Sequence, residues 1–117
     1  MVDGWIKEIK ANHDPDMLGM LLVHNGIVRG TSKEGRPVKG MRLTYDKNLL
    51  ETTVREFKKR DGIAEIRAWI NEGELTVGDD IMYVLVAGRF RTDVLPALQE
   101  LLGIIKKDVV KEQETGG

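Results

Sequence analysis

Hydrophobic and polar positions repeat along this chain with two different periods. From Lys39 to Tyr45, the residues Met41, Leu43 and Tyr45 alternate with Gly40, Arg42 and Thr44, the two-residue period of a strand with one buried face. Ala64, Ile66, Ala68 and Ile70 alternate with Glu65, Arg67 and Trp69 in the same way. Leu18 to Val28 is also strand-like, and Gly30 to Pro37 is a loop by its Gly, Ser and Pro content. Ile81 to Ala87 differs in being apolar at every position, which predicts a central strand covered on both faces. Two segments follow the helical period instead. Leu49, Leu50, Thr53, Val54 and Phe57 share one face after a capping residue, Asp46, and Asp61-Gly62 ends that helix. A second helix starts at Thr92 or Asp93 and carries the stripe Val94, Leu95, Leu98, Leu101, Leu102 and Ile105. Pro96 is expected in its first turn, where a missing N–H costs nothing. Trp5 to Lys10 fits either a short amphipathic helix or an edge strand until His13-Asp14-Pro15-Asp16 breaks it.

This order of elements predicts an α+β protein of two layers, with two main helices on a largely antiparallel sheet. A length of 117 residues fits one domain with one modest core. Residues 1–15 are expected to be a variable N-terminal segment, and residues 112–117 a mobile polar tail. No apolar run approaches the ~20 residues of a membrane span, so a soluble, cytoplasmic protein without membrane contact is expected. The 18 basic and 19 acidic residues nearly cancel, which argues against a nucleic-acid partner. Absence of cysteine removes disulfides and thiolate nucleophiles. Any sulfur chemistry must therefore use sulfur carried by another molecule.

Candidate chemistry has to come from local clusters of cations. Arg29, Lys33, Arg36, Lys39 and Arg42 are opposed only by Glu34, a patch suited to a small phosphate or carboxylate; its ordinary alternative is a solvated loop whose lysines protect an edge strand. Arg89 and Arg91 flank Phe90 just before a helix start, where anions are often held, although pairing with nearby carboxylates would explain them equally. Lys106, Lys107 and Lys111 form the third cluster, either as favourable charges at a helix C-terminus or as amines made reactive by neighbouring cations. His13 and His24 show no paired spacing, so no metal site is expected. A hydrogen-bonded, half-buried imidazole is the expected state of His24. Nothing in the residues calls for a cofactor.

Several of these segments fall in the order of a known pattern. Gly19 to Arg29 is similar to a strand of the kind Gly-Ala-(apolar)-Val-x-Phe-x-Gly-x-Val-Arg, and Leu43-Thr44-Tyr45 to a following Leu-Glu-Tyr. Ile70 to Asp79 is similar to His-Arg-x-Gly-x-Leu-x-x-Gly-(Asp/Glu). An apolar strand ending in His-Arg corresponds to Ile81 to Arg91, and Leu-Lys followed by apolar-Trp-Lys-Lys/Arg-Glu corresponds to Ile105-Lys106 and Val109-Val110-Lys111-Glu112. In these motifs the chain resembles the large, catalytic subunit of molybdopterin synthase, as a divergent member of that family.

The resemblance implies a hammerhead-type α/β fold and a sulfurtransferase activity in molybdenum cofactor biosynthesis. It implies a homodimer of large subunits, each carrying a small ubiquitin-like sulfur carrier that ends in Gly-Gly, as a heterotetramer. The thiocarboxylate of that carrier would supply the two sulfurs added to cyclic pyranopterin monophosphate. Lys106 and Lys111 then fall on catalytic positions and Arg29 and Arg91 on an anion pocket for the pterin phosphate, with Arg36 and Lys39 of the cationic patch expected as further anion-binding residues. One pocket is expected to gather Arg29, Arg91 and Lys106. The chain departs from the pattern at Phe90, at Ile70-Asn71 and at Thr44, and the segment between Lys106 and Lys111 is about two residues short. Loss of an imidazole at position 90 would remove a proton donor worth ~10²- to 10⁴-fold in rate. A non-catalytic paralogue and an unrelated ligand-sensing α+β module are the alternatives. Gly116-Gly117 offers a further possibility, since a chain end without side chains could enter the pocket in place of the partner's tail.

Overall fold

The computed structural model describes residues 1–116. Its elements run α1 (Val2–Asn12), a 3-10 turn (Pro15–Met17), β1 (Met20–Ile27), β2 (Val38–Tyr45), α2 (Lys47–Lys58), β3 (Ile63–Ile70), β4 (Gly73–Thr76), β5 (Asp80–Gly88), α3 (Arg91–Ile104), a π-turn (Ile105–Val109) and β6 (Val110–Gly116). All strand pairings are antiparallel. They form two three-stranded sheets, ordered β1-β5-β3 and β4-β2-β6, so the single sheet read from the sequence is divided in two.

The apolar run at Ile81 occupies the centre of the first sheet, as its composition dictates. Met82, Val84 and Val86 face the main core, which they share with Ile66, Phe57, Val94, Ala97 and Leu101 of β3, α2 and α3. Leu85 and Ala87 face the opposite way and pack against Ile9, Trp5 and Ile6. That second contact settles the form of the N-terminal segment. Its apolar residues recur at helical spacing and cover the far face of β5, so α1 is a third helix.

Asp46 caps α2 as expected, its carboxylate accepting from the Leu49 N–H at 3.0 Å. α3 begins at Arg91, one residue earlier than the sequence indicates, with Phe90 as N-cap. Pro96 therefore lies in its second turn, and Thr92 loses one intrahelical partner for its carbonyl. Leu95 stands outside the buried stripe at 40% exposure, its place taken by the fully buried Ala97. Two glycines let the chain cross the end of the first sheet. A Cβ on Gly19 would lie 2.1 Å from the Arg89 carbonyl oxygen, and one on Gly88 would lie 2.2 Å from that of Gly62, so neither position admits a side chain without displacing backbone.

The second sheet is less apolar. Met41, Leu43 and Leu75 bury one face against the main core, whereas β6 is exposed from Lys111 onward. Residues 112–116, expected to be a mobile tail, instead continue β6 and pair with β2 from Leu43 to Val38. Backbone pairing rather than side-chain burial holds them. Gly116 pairs with Val38, and Gly117, the other residue of the Gly-Gly end read as a pocket occupant, lies outside the described residues. No described helix is long and apolar enough to cross a membrane.

Candidate functional site

Chain direction through α3 decides which cations can meet. β1 pairs with β5 so that Met20 faces Gly88 and Ile27 faces Asp80. Arg29 follows one end of this pair and Arg91 follows the other. Eight strand residues span roughly 25 Å, so the two arginines do not meet within one chain. The convergence of Arg29, Arg91 and Lys106 expected from sequence is therefore absent in a single copy. α3 then runs ~21 Å back along β1 and β5, carrying the chain away from Arg91 to the lysines.

There the helix closes with a π-turn, Ile105–Val109, a widened geometry frequent at functional sites. Ile105 and Val109 are buried in the main core, which leaves Lys106, Lys107 and Asp108 exposed. The two adjacent lysines serve different surfaces. Lys106 has its charge within reach of His24 on β1. Lys107 lines a cleft of about 610 Å³ together with Thr44, Tyr45, Asp46, Asp108 and Lys111. Lys111 stands on β6 directly opposite Thr44. The Asp46 N–H donates to the Val109 carbonyl at 3.0 Å and fixes this joint between the layers.

The other candidates are partly committed elsewhere. Arg29 donates to the carbonyls of Thr31 and Ser32 at 3.0 and 2.9 Å, shaping the loop after β1. Arg36 lines a separate cleft of about 210 Å³ with Ser32, Glu34 and the β6 residues Glu114, Thr115 and Gly116. Lys39 is exposed on β2. Arg42 is neutralised by Glu74, its cross-strand neighbour, at 3.2 Å. At the other end of the first sheet the two arginines divide. Arg89 pairs with Asp61 at 3.1 Å and approaches Asp93 at 3.7 Å, so the structural explanation holds for it. Arg91 is exposed and forms no ion pair among the described residues. Phe90 beside it is 63% exposed.

His24 is a less legible neighbour of these cations. Its strand position shares a face with Met20 and Leu22, which pack on the main core, yet its Nε2 is buried without a hydrogen-bond partner. Burial, then the Lys106 ammonium, hold the imidazole below its ordinary value of 6.5. Alternation along β1 gave its inward orientation, but the lysine whose charge acts on it lies 82 residues away, from position 24 to position 106. No local sequence signal carries that approach.

With this geometry in place, comparison with known proteins is specific. A family model described as "MoaE protein" matches residues 4–108. An uncharacterized protein of Methanocaldococcus jannaschii is 30% identical over 93 residues, covering 76% of this chain and 78% of that protein. Among solved structures, molybdopterin cofactor biosynthesis protein E from Burkholderia multivorans superposes with a TM-score of 0.77 at 21% identity, over 100% of this chain and 82% of that one. Molybdopterin synthase from Staphylococcus aureus gives 0.74 at 18% identity, over 96% and 84%. A complex of subunits 1 and 2 of the molybdopterin-converting factor from Helicobacter pylori gives 0.74 at 17% identity, over 97% and 74%.

Proposed function

The chain belongs to the MoaE protein family, the large subunits of molybdopterin synthase, and from that premise we propose that it transfers sulfur to cyclic pyranopterin monophosphate. The donor is the C-terminal Gly-Gly thiocarboxylate of a small ubiquitin-like carrier. Each transfer joins the thiocarboxylate sulfur to a pterin carbon with loss of that carbon's oxygen, and water then cleaves the carrier's C–S bond to leave a carboxylate; two transfers build the dithiolene. A carrier of this kind suits a protein without cysteine. It also suits the H. pylori relative, which is a complex of two subunits.

The observation that carries the reading is the π-turn. It presents Lys106 on one side and Lys107, with Lys111, on the other, so the donor's carboxylate-like terminus can lie between cations at the joint of the two sheets. Lys106 and Lys111 act on the donor and the reacting pterin carbons. Arg29, with Arg36 and Lys39 on the neighbouring loop and strand, attracts the pterin phosphate. Arg91 is too far from these groups in its own chain, and it contributes from the second copy of a homodimer. Exposed apolar residues of β1, Val23 and Ile27, are suited to that association.

One observation favours a second reading. Phe90 takes the position of a family histidine and is exposed, so the site lacks that proton donor; a non-catalytic paralogue would bind the carrier and transfer nothing. Mass spectrometry of the carrier separates the two. The sulfurtransferase converts thiocarboxylate to carboxylate only when the pterin precursor is present. Stable complex formation with no loss of sulfur over repeated incubations would establish the paralogue.

A further inference from the structure

A buried ring nitrogen without a partner beside an exposed ammonium is an unfinished hydrogen-bond arrangement. His24 Nε2 is buried and unpartnered, and a buried polar atom left unpaired keeps its full desolvation penalty. Its neighbours do not complete it. Across the β1–β5 pair it faces Val84. The inward residues of α3 are Val94, Ala97, Leu98 and Leu101, all apolar. Gly26, two residues along the same face, adds no side chain, and a Cβ there would stand 3.4 Å from Nε2. The Lys106 ammonium is the charge that, after burial, holds the ring below its ordinary pKa. It sits on the π-turn, whose widened backbone turns it out of the buried row formed by Ile105 and Val109.

We propose that His24 is an anion-binding residue of the Lys106 site, taking up one proton when an anion arrives and donating from Nε2 to it. The proposal rests on the sulfurtransferase reading for the identity of the anion, a thiocarboxylate or a phosphate, but not for the proton. In the free protein, burial and then the lysine charge disfavour the imidazolium. An anion beside Lys106 cancels that charge and offers an acceptor, so both causes that disfavour the imidazolium weaken together. The proton comes from solvent and stays on the ring while the anion is bound. Binding then strengthens as the pH falls through the range between the free and bound pKa values, by up to about tenfold per pH unit for one proton. The arrangement would discriminate a charged chain end from its neutral amide.

The test uses the whole chain and two probes that do not titrate between pH 5 and 7: a peptide ending in Gly-Gly with a free carboxylate, and sulfate as a stand-in for phosphate. Histidine resonances followed by NMR should show the His24 pKa rising when either probe binds, and the amidated peptide should leave it unchanged. A response to the peptide alone assigns the site to the carrier tail, and one to sulfate alone assigns it to the pterin phosphate; both support the role of His24. His24→Phe, close in volume, and His24→Asn should each bind the responding probe with no dependence on pH. Binding to the wild type that is flat with pH, or a slope that persists in both variants, overturns the proposal while leaving the Lys106 assignment intact. Undiminished binding in Lys106→Ala sinks that assignment and this proposal with it.

Discussion

The sheets β1-β5-β3 and β4-β2-β6 have equal numbers of strands but are held by different forces. β5 is covered on both faces, with Val84, Leu85, Val86 and Ala87 fully buried, and its neighbours β1 and β3 need only follow its register. β6 presents exposed side chains from Lys111 to Gly116 and is held to β2 through backbone hydrogen bonds. A buried strand writes itself into the sequence as a continuous apolar run, whereas a strand held by its backbone leaves no hydrophobic signature. The candidate lysines lie on the segment that leaves the first layer and enters the second.

The contrast is broken most severely by emptying the first sheet. Leu85→Ala removes a fully buried side chain from between β5 and α1, and it should cost about 2–5 kcal/mol, read as a fall in the urea midpoint. Gly88→Ala should follow at about 1–3 kcal/mol, because the added Cβ meets the Gly62 carbonyl oxygen at 2.2 Å. Deleting Gln113–Gly117 should cost less than either, since its side chains are exposed and the ~0.5–1.5 kcal/mol net of each ladder hydrogen bond is offset by the backbone entropy that the freed end regains. If the deletion proved as damaging as Leu85→Ala, β6 would belong to the cooperative core and the contrast would fail.

A smaller effect sharpens the account of the first sheet. Glu65 lies on β3, where burial alone would raise its carboxyl. The Lys58 hydrogen bond, the Ile66 N–H and the Lys58 and Arg67 charges outweigh burial and hold it below the ordinary 4.5. A carboxyl held low in the folded state contributes stability above its ordinary value and loses it as the pH falls through the folded value. Stability should therefore decline below about pH 4.5, and Glu65→Gln should flatten the decline. An unchanged acid limb would show that the ion pair with Lys58, 2.7 Å long, contributes nothing.

Legibility followed the same division. Alternation gave β1, β2 and β3, the apolar run gave β5, and Asp46 gave the start of α2, because in each case the burial that stabilises the element is local in sequence. β6 was hidden by its polarity, and β4 by its length of four residues. α1 was ambiguous until the far face of β5 required a cover. In the site, the types and order of the cations were legible through the family pattern, but their distances were not. Arg29 and Arg91 each stand at the end of a strand, and only the antiparallel register of β1 and β5 reveals that these are opposite ends. The reach of the Lys106 charge to His24 depends on the length of α3 and on the π-turn, neither of which periodicity specifies.

The central claim is that this joint between the sheets carries sulfur transfer through Lys106. It is tested most directly by incubating the chain with the carrier thiocarboxylate and cyclic pyranopterin monophosphate and measuring the dithiolene product by mass spectrometry, alongside Lys106→Ala shown by circular dichroism to be folded. The account predicts product from the wild type and a loss of at least a hundredfold in the variant, an interaction worth ~2.7 kcal/mol or more in the transition state. Equal product from both proteins, or none from the wild type, would contradict it.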